Sequence, residues 1–171
     1  MKVIVINGHG GCGKDTLISV IEKDTKYKVA NESSIDPIKN IARQTTNWDG
    51  GKSDKDRKFL SDLKRIYTEY CDLPTNYLID KYINNVVNGK DMMFCHIREA
   101  SEIDKFKEAL PKTAKVYTLL VYRDETDNHS YGNASDDDVN KYNYDFVFDN
   151  NKTLDEAAKS FIELINKIME M

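Results

Sequence analysis

Gly8-His9-Gly10-Gly11-Cys12-Gly13-Lys14-Asp15-Thr16 is the stretch on which the reading of this chain turns. It follows a β-branched apolar run, Val3-Ile4-Val5-Ile6, and precedes a segment with Leu17, Ile18 and Ile21 on one helical face. The spacing is G-x-x-x-x-G-K, that of a loop that cradles phosphate groups. Glycines let successive N–H groups turn toward one anion, and a helix start adds unpaired donors and the positive end of its dipole. Lys14 supplies a mobile point charge for the β- and γ-phosphates. Gly8, Gly10, Gly11 and Gly13 make up half of the 8 glycines in the chain, a concentration expected where backbone approaches a ligand closely.

The loop departs from the common pattern at one position. Where a Ser or Thr usually follows the lysine and ligates Mg²⁺, this chain has Asp15, with Thr16 next. A carboxylate is a hard oxygen ligand, so Asp15 is expected to touch the metal shell, directly or through water, with Thr16 supporting it. A role for Asp15 in orienting the loop or the acceptor remains open. His9 and Cys12 occupy variable positions of the loop.

Outward from the loop, strand and helix patterns alternate. Strands are expected over residues 2–6, 27–30, 92–95, 115–122 and 146–148. Helices are expected over 14–22, 36–44, 55–71, 74–87, 99–109 and 153–169, the last opened by a capping box of Thr153 and Glu156. In the 55–71 helix, Phe59, Leu60, Leu63, Ile66, Tyr67 and Tyr70 recur at helical spacing and predict a core-facing stripe. Strands separated by helices imply a parallel sheet covered on both faces. The expected fold is α/β, a three-layer P-loop NTPase architecture of about five strands in a single domain over 1–171. Each motif falls at the carboxyl end of a strand, where such sheets bind ligands.

Composition narrows the class. With 171 residues, 25 Lys+Arg and 29 Asp+Glu, the net charge is -4, which argues against a nucleic-acid binder. No apolar run approaches the roughly 20 residues of a membrane span, and no signal peptide is seen at the start. Three widely spaced cysteines make neither a disulfide framework nor a CxxC metal site. A reduced, cytoplasmic protein is the expectation. The 10 tyrosines are compatible with an interface, a homodimer included, without requiring one.

Among phosphate-binding classes, the GTPase motif NKxD is missing, since Asn140-Lys141-Tyr142-Asn143 ends in Asn. Asp91 precedes the 92–95 strand, where a Walker B Asp would follow it. A small kinase remains. Gly8 to Thr16 at the N-terminus resembles the deoxynucleoside monophosphate kinases of large bacteriophages and related small P-loop kinases. Ser34-Ile35-Asp36-Pro37-Ile38-Lys39 is similar to the segment that opens the acceptor region of the nucleoside monophosphate kinase group. His96-Ile97-Arg98-Glu99 is similar to its D-x-R-x-x-E segment, with His96 in place of the Asp. Tyr122-Arg123-Asp124 stands where the lid of that group begins, and 145–154 resembles its final strand and helix.

The resemblance implies ATP and Mg²⁺ as donor and cofactor and a small phosphorylated acceptor, most nearly a (deoxy)nucleoside monophosphate. It implies an acceptor-binding insertion over about 36–88 and a short lid over about 123–139. Lys14, Arg98 and Arg123 are then the candidates for the transferring phosphoryl group. Asp36, Lys39, Arg43, Arg57, His96 and Arg98 are the candidates for the acceptor. Residues 36–66 carry eight basic and five acidic side chains, a local positive balance suited to an anionic acceptor. Guanidinium groups grip phosphate with paired hydrogen bonds. The lid is unusual for the group: residues 124–139 carry six acidic side chains and no Lys or Arg. Trp48 is read as a loop anchor before a base-stacking ring. A kinase for another small metabolite and an ATP-binding module without transfer fit the same pattern.

Overall fold

A computed structural model describes residues 1–124 and 139–171. Among these residues the chain runs β1 (Lys2–Asn7), α1 (Lys14–Asp24), β2 (Val29–Ser33), α2 (Asp36–Thr45), α3 (Asp54–Cys71), α4 (Leu73–Val87), β3 (Met92–His96), α5 (Ala100–Ala109), β4 (Lys115–Tyr122), a 3-10 turn (Val139–Lys141), β5 (Phe146–Asp149) and α6 (Leu154–Glu170). The five strands form one sheet in the order β2-β3-β1-β4-β5, and all four pairings are parallel.

Alternation along the central strand divides the core in two. Ile4 and Ile6 of β1 face one side with Leu17, Ile18 and Ile21 of α1 and Phe161, Ile165 and Ile168 of α6. Val3 and Val5 face the other with Leu78 of α4 and Ile103 and Phe106 of α5. Both faces of β1 are dry, which is why its sequence is a continuous apolar run. Helices therefore cover both faces of a five-stranded parallel sheet, the three-layer arrangement read from the element order.

Most element ends shift by one or two residues from expectation, and three differences bear on the site or the packing. β2 spans Val29–Ser33 and not 27–30. Asn31, Glu32 and Ser33 are poor strand formers, but each pairs in register with β3, at Phe94, Cys95 and His96. The ladder satisfies their backbone whatever their side chains prefer. α5 begins at Ala100, with Glu99 as its N-cap. The third difference is α3. Its apolar stripe is not a core face: Ile66 and Tyr70 are 51% and 87% exposed, and its buried residue is Lys64. The helix packs mainly on α2 and α4, so a stripe at helical spacing finds only partial cover.

Helix starts follow their expected chemistry. Thr153 Oγ1 bonds Glu156 Oε2 at 2.7 Å, and Pro37 sits in the first turn of α2. Ser53 and Asp56 form a capping box at the start of α3. Gly89, with φ of 65°, follows the C-cap Asn88 of α4, a left-handed conformation that favours glycine.

Candidate functional site

A cleft of about 680 Å³ opens along the carboxyl ends of β1, β2 and β3. Gly10, Gly11, Lys14 and Asp15 line one end. Asn31 to Asp36, Lys39, Lys52, Arg57 and Lys64 line the other, and His96 to Glu99 form the floor between them. The loop after β1 thus shares one cavity with the segments after β2 and β3.

The loop is held by close packing. Gly8 has φ of +144°, and a Cβ there would run into the carbonyl oxygen of Val121 on β4 and lie 2.8 Å from Cys12 Sγ. Gly13, with φ of +94°, caps α1, and a Cβ there would sit 2.5 Å from Asn150 Nδ2. These two positions require glycine for conformation and for space alike. Asn150, just beyond β5, donates from Nδ2 to Cys12 O at 2.7 Å, and its N–H donates to Tyr122 O. Lys14 Nζ donates to Gly8 O at 2.6 Å and to His9 O at 3.0 Å. Its ammonium therefore lies against the carbonyls of its own loop.

At the floor, His96 Nε2 is 2.8 Å from Asn31 Oδ1 and 3.7 Å from Asp15 Oδ1. Burial lowers the His96 pKa to about 4; Asp15 opposes the shift while Lys14 and Arg98 add to it. The ring is neutral at pH 7, and a proton on Nε2 is donated to Asn31. Beyond it, Lys64 Nζ reaches Glu99 Oε2 at 2.5 Å and Glu102 Oε2 at 2.7 Å. Burial alone raises Glu99, but the Lys64 charge and hydrogen bond outweigh it and leave Glu99 low. Glu102 stays raised, by burial and by the neighbouring Glu99 charge.

The expected site residues fall into two groups. Gly10, Gly11, Lys14, Asp15, Asp36, Lys39, Arg57, His96 and Arg98 come together around the cleft. Lys39 Nζ pairs with Asp36 at 3.7 Å, and Arg57 Nε donates to Lys52 O at 3.1 Å. Gly8, Cys12, Gly13 and Thr16 belong to the loop and α1 without lining the cavity. Arg43 is not brought to it: its guanidinium lies 5.2 Å from the centre of the Trp48 ring, in the loop between α2 and α3. Trp48, expected as a loop anchor packed on the core, is half-buried and stacks there with the exposed Arg43. Arg123 follows β4 directly, half-buried, and is not among the lining residues. Within the lid, 125–138 lies outside the described residues.

Several polar side chains that position the site were missed from sequence. Asn7 ends β1, Asn150 follows β5 and Asn31 stands in the middle of β2, and each bonds the loop or the floor. The break from apolar to amide at the end of a buried strand, as at Ile6-Asn7, was the available signal.

No protein-family profile and no curated protein matches the chain by sequence. Solved structures do match. An unliganded sugar kinase from a Janibacter species aligns over 97% of this chain and 95% of its own, at 14% identity and a TM-score of 0.53. A putative kinase from Chloroflexus aurantiacus aligns over 97% and 96%, at 10% identity and the same TM-score. A thymidylate kinase from Ehrlichia chaffeensis covers 96% and 98%, at 12% identity and a TM-score of 0.48. The chain has the three-layer α/β fold of P-loop kinases.

Proposed function

We propose that this protein transfers the γ-phosphoryl group of ATP to a small phosphorylated acceptor, a (deoxy)nucleoside monophosphate. One observation carries the reading: the glycine loop with Lys14 opens into the same cleft as Lys39, Lys52, Arg57 and Arg98. A polyphosphate on the loop and an anionic acceptor on the basic wall would meet over the β3 end. Catalysis by positioning and charge neutralisation asks for little else.

In the step, an oxygen of the acceptor phosphate forms a bond to the γ-phosphorus, and the bond from γ-phosphorus to the β-bridging oxygen breaks. The products are ADP and a nucleoside diphosphate. A phosphomonoester is largely dianionic at pH 7, with a second pKa of about 6, so this acceptor needs no carboxylate base. His96 at the position where the resembled group carries Asp fits that chemistry. Lys14 leaves its loop carbonyls to meet the β- and γ-phosphates, and Arg98 holds the acceptor. Arg123, at the start of the lid expected over about 123–139, does not line the cleft.

The donor set fits a hard cation. The Asp15 side chain is 90% exposed beside the loop and lines the cleft. Among the described residues, no three His, Cys, Asp or Glu side chains converge on one point. Magnesium held by Asp15 would draw its remaining ligands from phosphates and water, its usual habit. When bound it would supply neutralisation of the charge on the transferring phosphoryl group.

The test is ADP release over a panel of nucleoside monophosphates. Acceptor-stimulated turnover by at least one of them is expected. Lys14→Ala should lower it by about 10³-fold, about 4 kcal/mol of transition-state stabilisation, with an unchanged circular dichroism spectrum. ATP binding with no stimulation by any acceptor would favour a nucleotide-binding module. Unaltered turnover in Lys14→Ala would refute the role given to the loop.

A further inference from the structure

The end of β1 carries a side chain that the proposed reaction does not use directly. Asn7 is 1% exposed, and its carboxamide is fully engaged. Oδ1 accepts from Gly8 N at 2.8 Å. Nδ2 donates to Arg98 O at 3.0 Å and to the Tyr144 hydroxyl at 2.8 Å. The orientation of the amide is fixed by its partners: turned over, its NH₂ would face the Gly8 N–H and its oxygen the Arg98 carbonyl.

These partners belong to different parts of the site. Gly8 is the first residue of the phosphate loop and is pinned against Val121. Arg98, on the floor of the cleft, is the residue that the proposed reaction gives to the acceptor. Tyr144 donates its own proton to Val139 O at 2.9 Å. Tyr142, whose ring packs on Tyr144 with centroids 5.1 Å apart, donates to Asp104 Oδ1 on α5 at 2.7 Å. Since α5 starts directly after the Arg98 segment, the contacts close a ring from Asn7 through Arg98, α5, Tyr142 and Tyr144 back to Asn7. Asn7 is the buried member of this ring, so a shift of the Arg98 carbonyl or of Tyr144 alone leaves a donor of its amide unpaired away from water.

We propose that Asn7 is a positioning residue that couples the two halves of the cleft, so that a magnesium nucleotide on the phosphate loop tightens binding of the acceptor beside Arg98. This rests on the reading of the cleft as donor and acceptor sites. It adds that the halves communicate through one amide, and it places Tyr144 as the second member of the coupling.

Calorimetry with a non-hydrolysable ATP analogue and the four deoxynucleoside monophosphates tests it. In the wild type, at least one monophosphate should bind about fivefold or more tightly when the magnesium analogue saturates the loop. Asn7→Ala should bring that ratio close to one, and Tyr144→Phe should reduce it, while the analogue itself still binds both variants. A general loss of stability would lower both affinities and leave the ratio intact. If Asn7→Ala does not fold, Tyr144→Phe decides. A ratio retained in the folded variants, or a wild type that binds both ligands without enhancement, overturns the coupling and leaves the proposed reaction standing. A wild type that binds the analogue but no monophosphate overturns both.

Discussion

Lys64 and Glu99 face each other across the wall of the cleft, Nζ to Oε2 at 2.5 Å with side chains 11% and 28% exposed. The pair joins the middle of α3 to the N-cap of α5, and Glu102 completes it at 2.7 Å. Lys64→Met would leave two neighbouring carboxylates with no cation. We expect a loss of about 2–4 kcal/mol at pH 7, read from denaturant midpoints. Glu99 is held low in the fold, so its contribution is present above the ordinary carboxylate range and fades as the pH falls through its folded value. The gap between wild type and variant should therefore narrow toward acid, and Lys64→Met/Glu102→Gln should recover part of it. A gap independent of pH would count against the electrostatic account.

Tyr144 sets a second, alkaline dependence. Burial pushes its pKa up to about 12, with the Asn7 hydrogen bond acting weakly the other way. Unfolded, the phenol ionises near pH 10. Its contribution is thus complete below pH 10 and is lost as the pH rises to about 12. Between those values wild type should lose stability faster than Tyr144→Phe, measured as the difference of their urea midpoints. Parallel curves would remove Tyr144 from the account.

Gly8→Ala should cost about 3 kcal/mol or more, since the left-handed backbone and the Val121 carbonyl penalise a Cβ together. A thermal midpoint within a degree of wild type would mean that the loop had moved to accept the methyl group. Gly50→Ala is the control: its φ is +99° but nothing lies within 4 Å of the added atom, so the loss should be smaller.

Two arginines that look alike in sequence should behave differently. Arg57 lines the cleft and Arg43 stacks on Trp48 outside it. Arg57→Gln is expected to raise the KM for the acceptor about tenfold, about 1.4 kcal/mol, with little change for ATP. Arg43→Gln should leave both within about twofold. Steady-state kinetics with each substrate varied in turn decides the matter, and equal effects would contradict the placement.

Much of the fold was legible because its signals are local. A β-branched run, four glycines, a lysine and an amphipathic helix are adjacent in the chain, and the capping box at Thr153 needs only its own four residues. The site was less legible because it is assembled from strand ends far apart in sequence. Arg43 and Arg57 read alike as helical arginines until α2 and α3 pack and bring only Arg57 to the cleft, and Lys64 reads as one more surface charge until Glu99 and Glu102 close on it. The stripe of α3 misled for a related reason: periodicity says which residues share a face, not what that face meets.

The chain's residues alone determined the glycine-rich loop between β1 and α1, the order of strands and helices and the two-sided sheet, because backbone conformation and apolar spacing act between near neighbours. Packing alone settled which polar groups meet: Asn7 with the Arg98 carbonyl and the Tyr144 hydroxyl, Asn150 with the Cys12 carbonyl, Lys64 with its two glutamates. Hydrogen bonds and ion pairs reach only about 3 Å, so such partners can be known only when the fold has brought their strand ends and helices side by side.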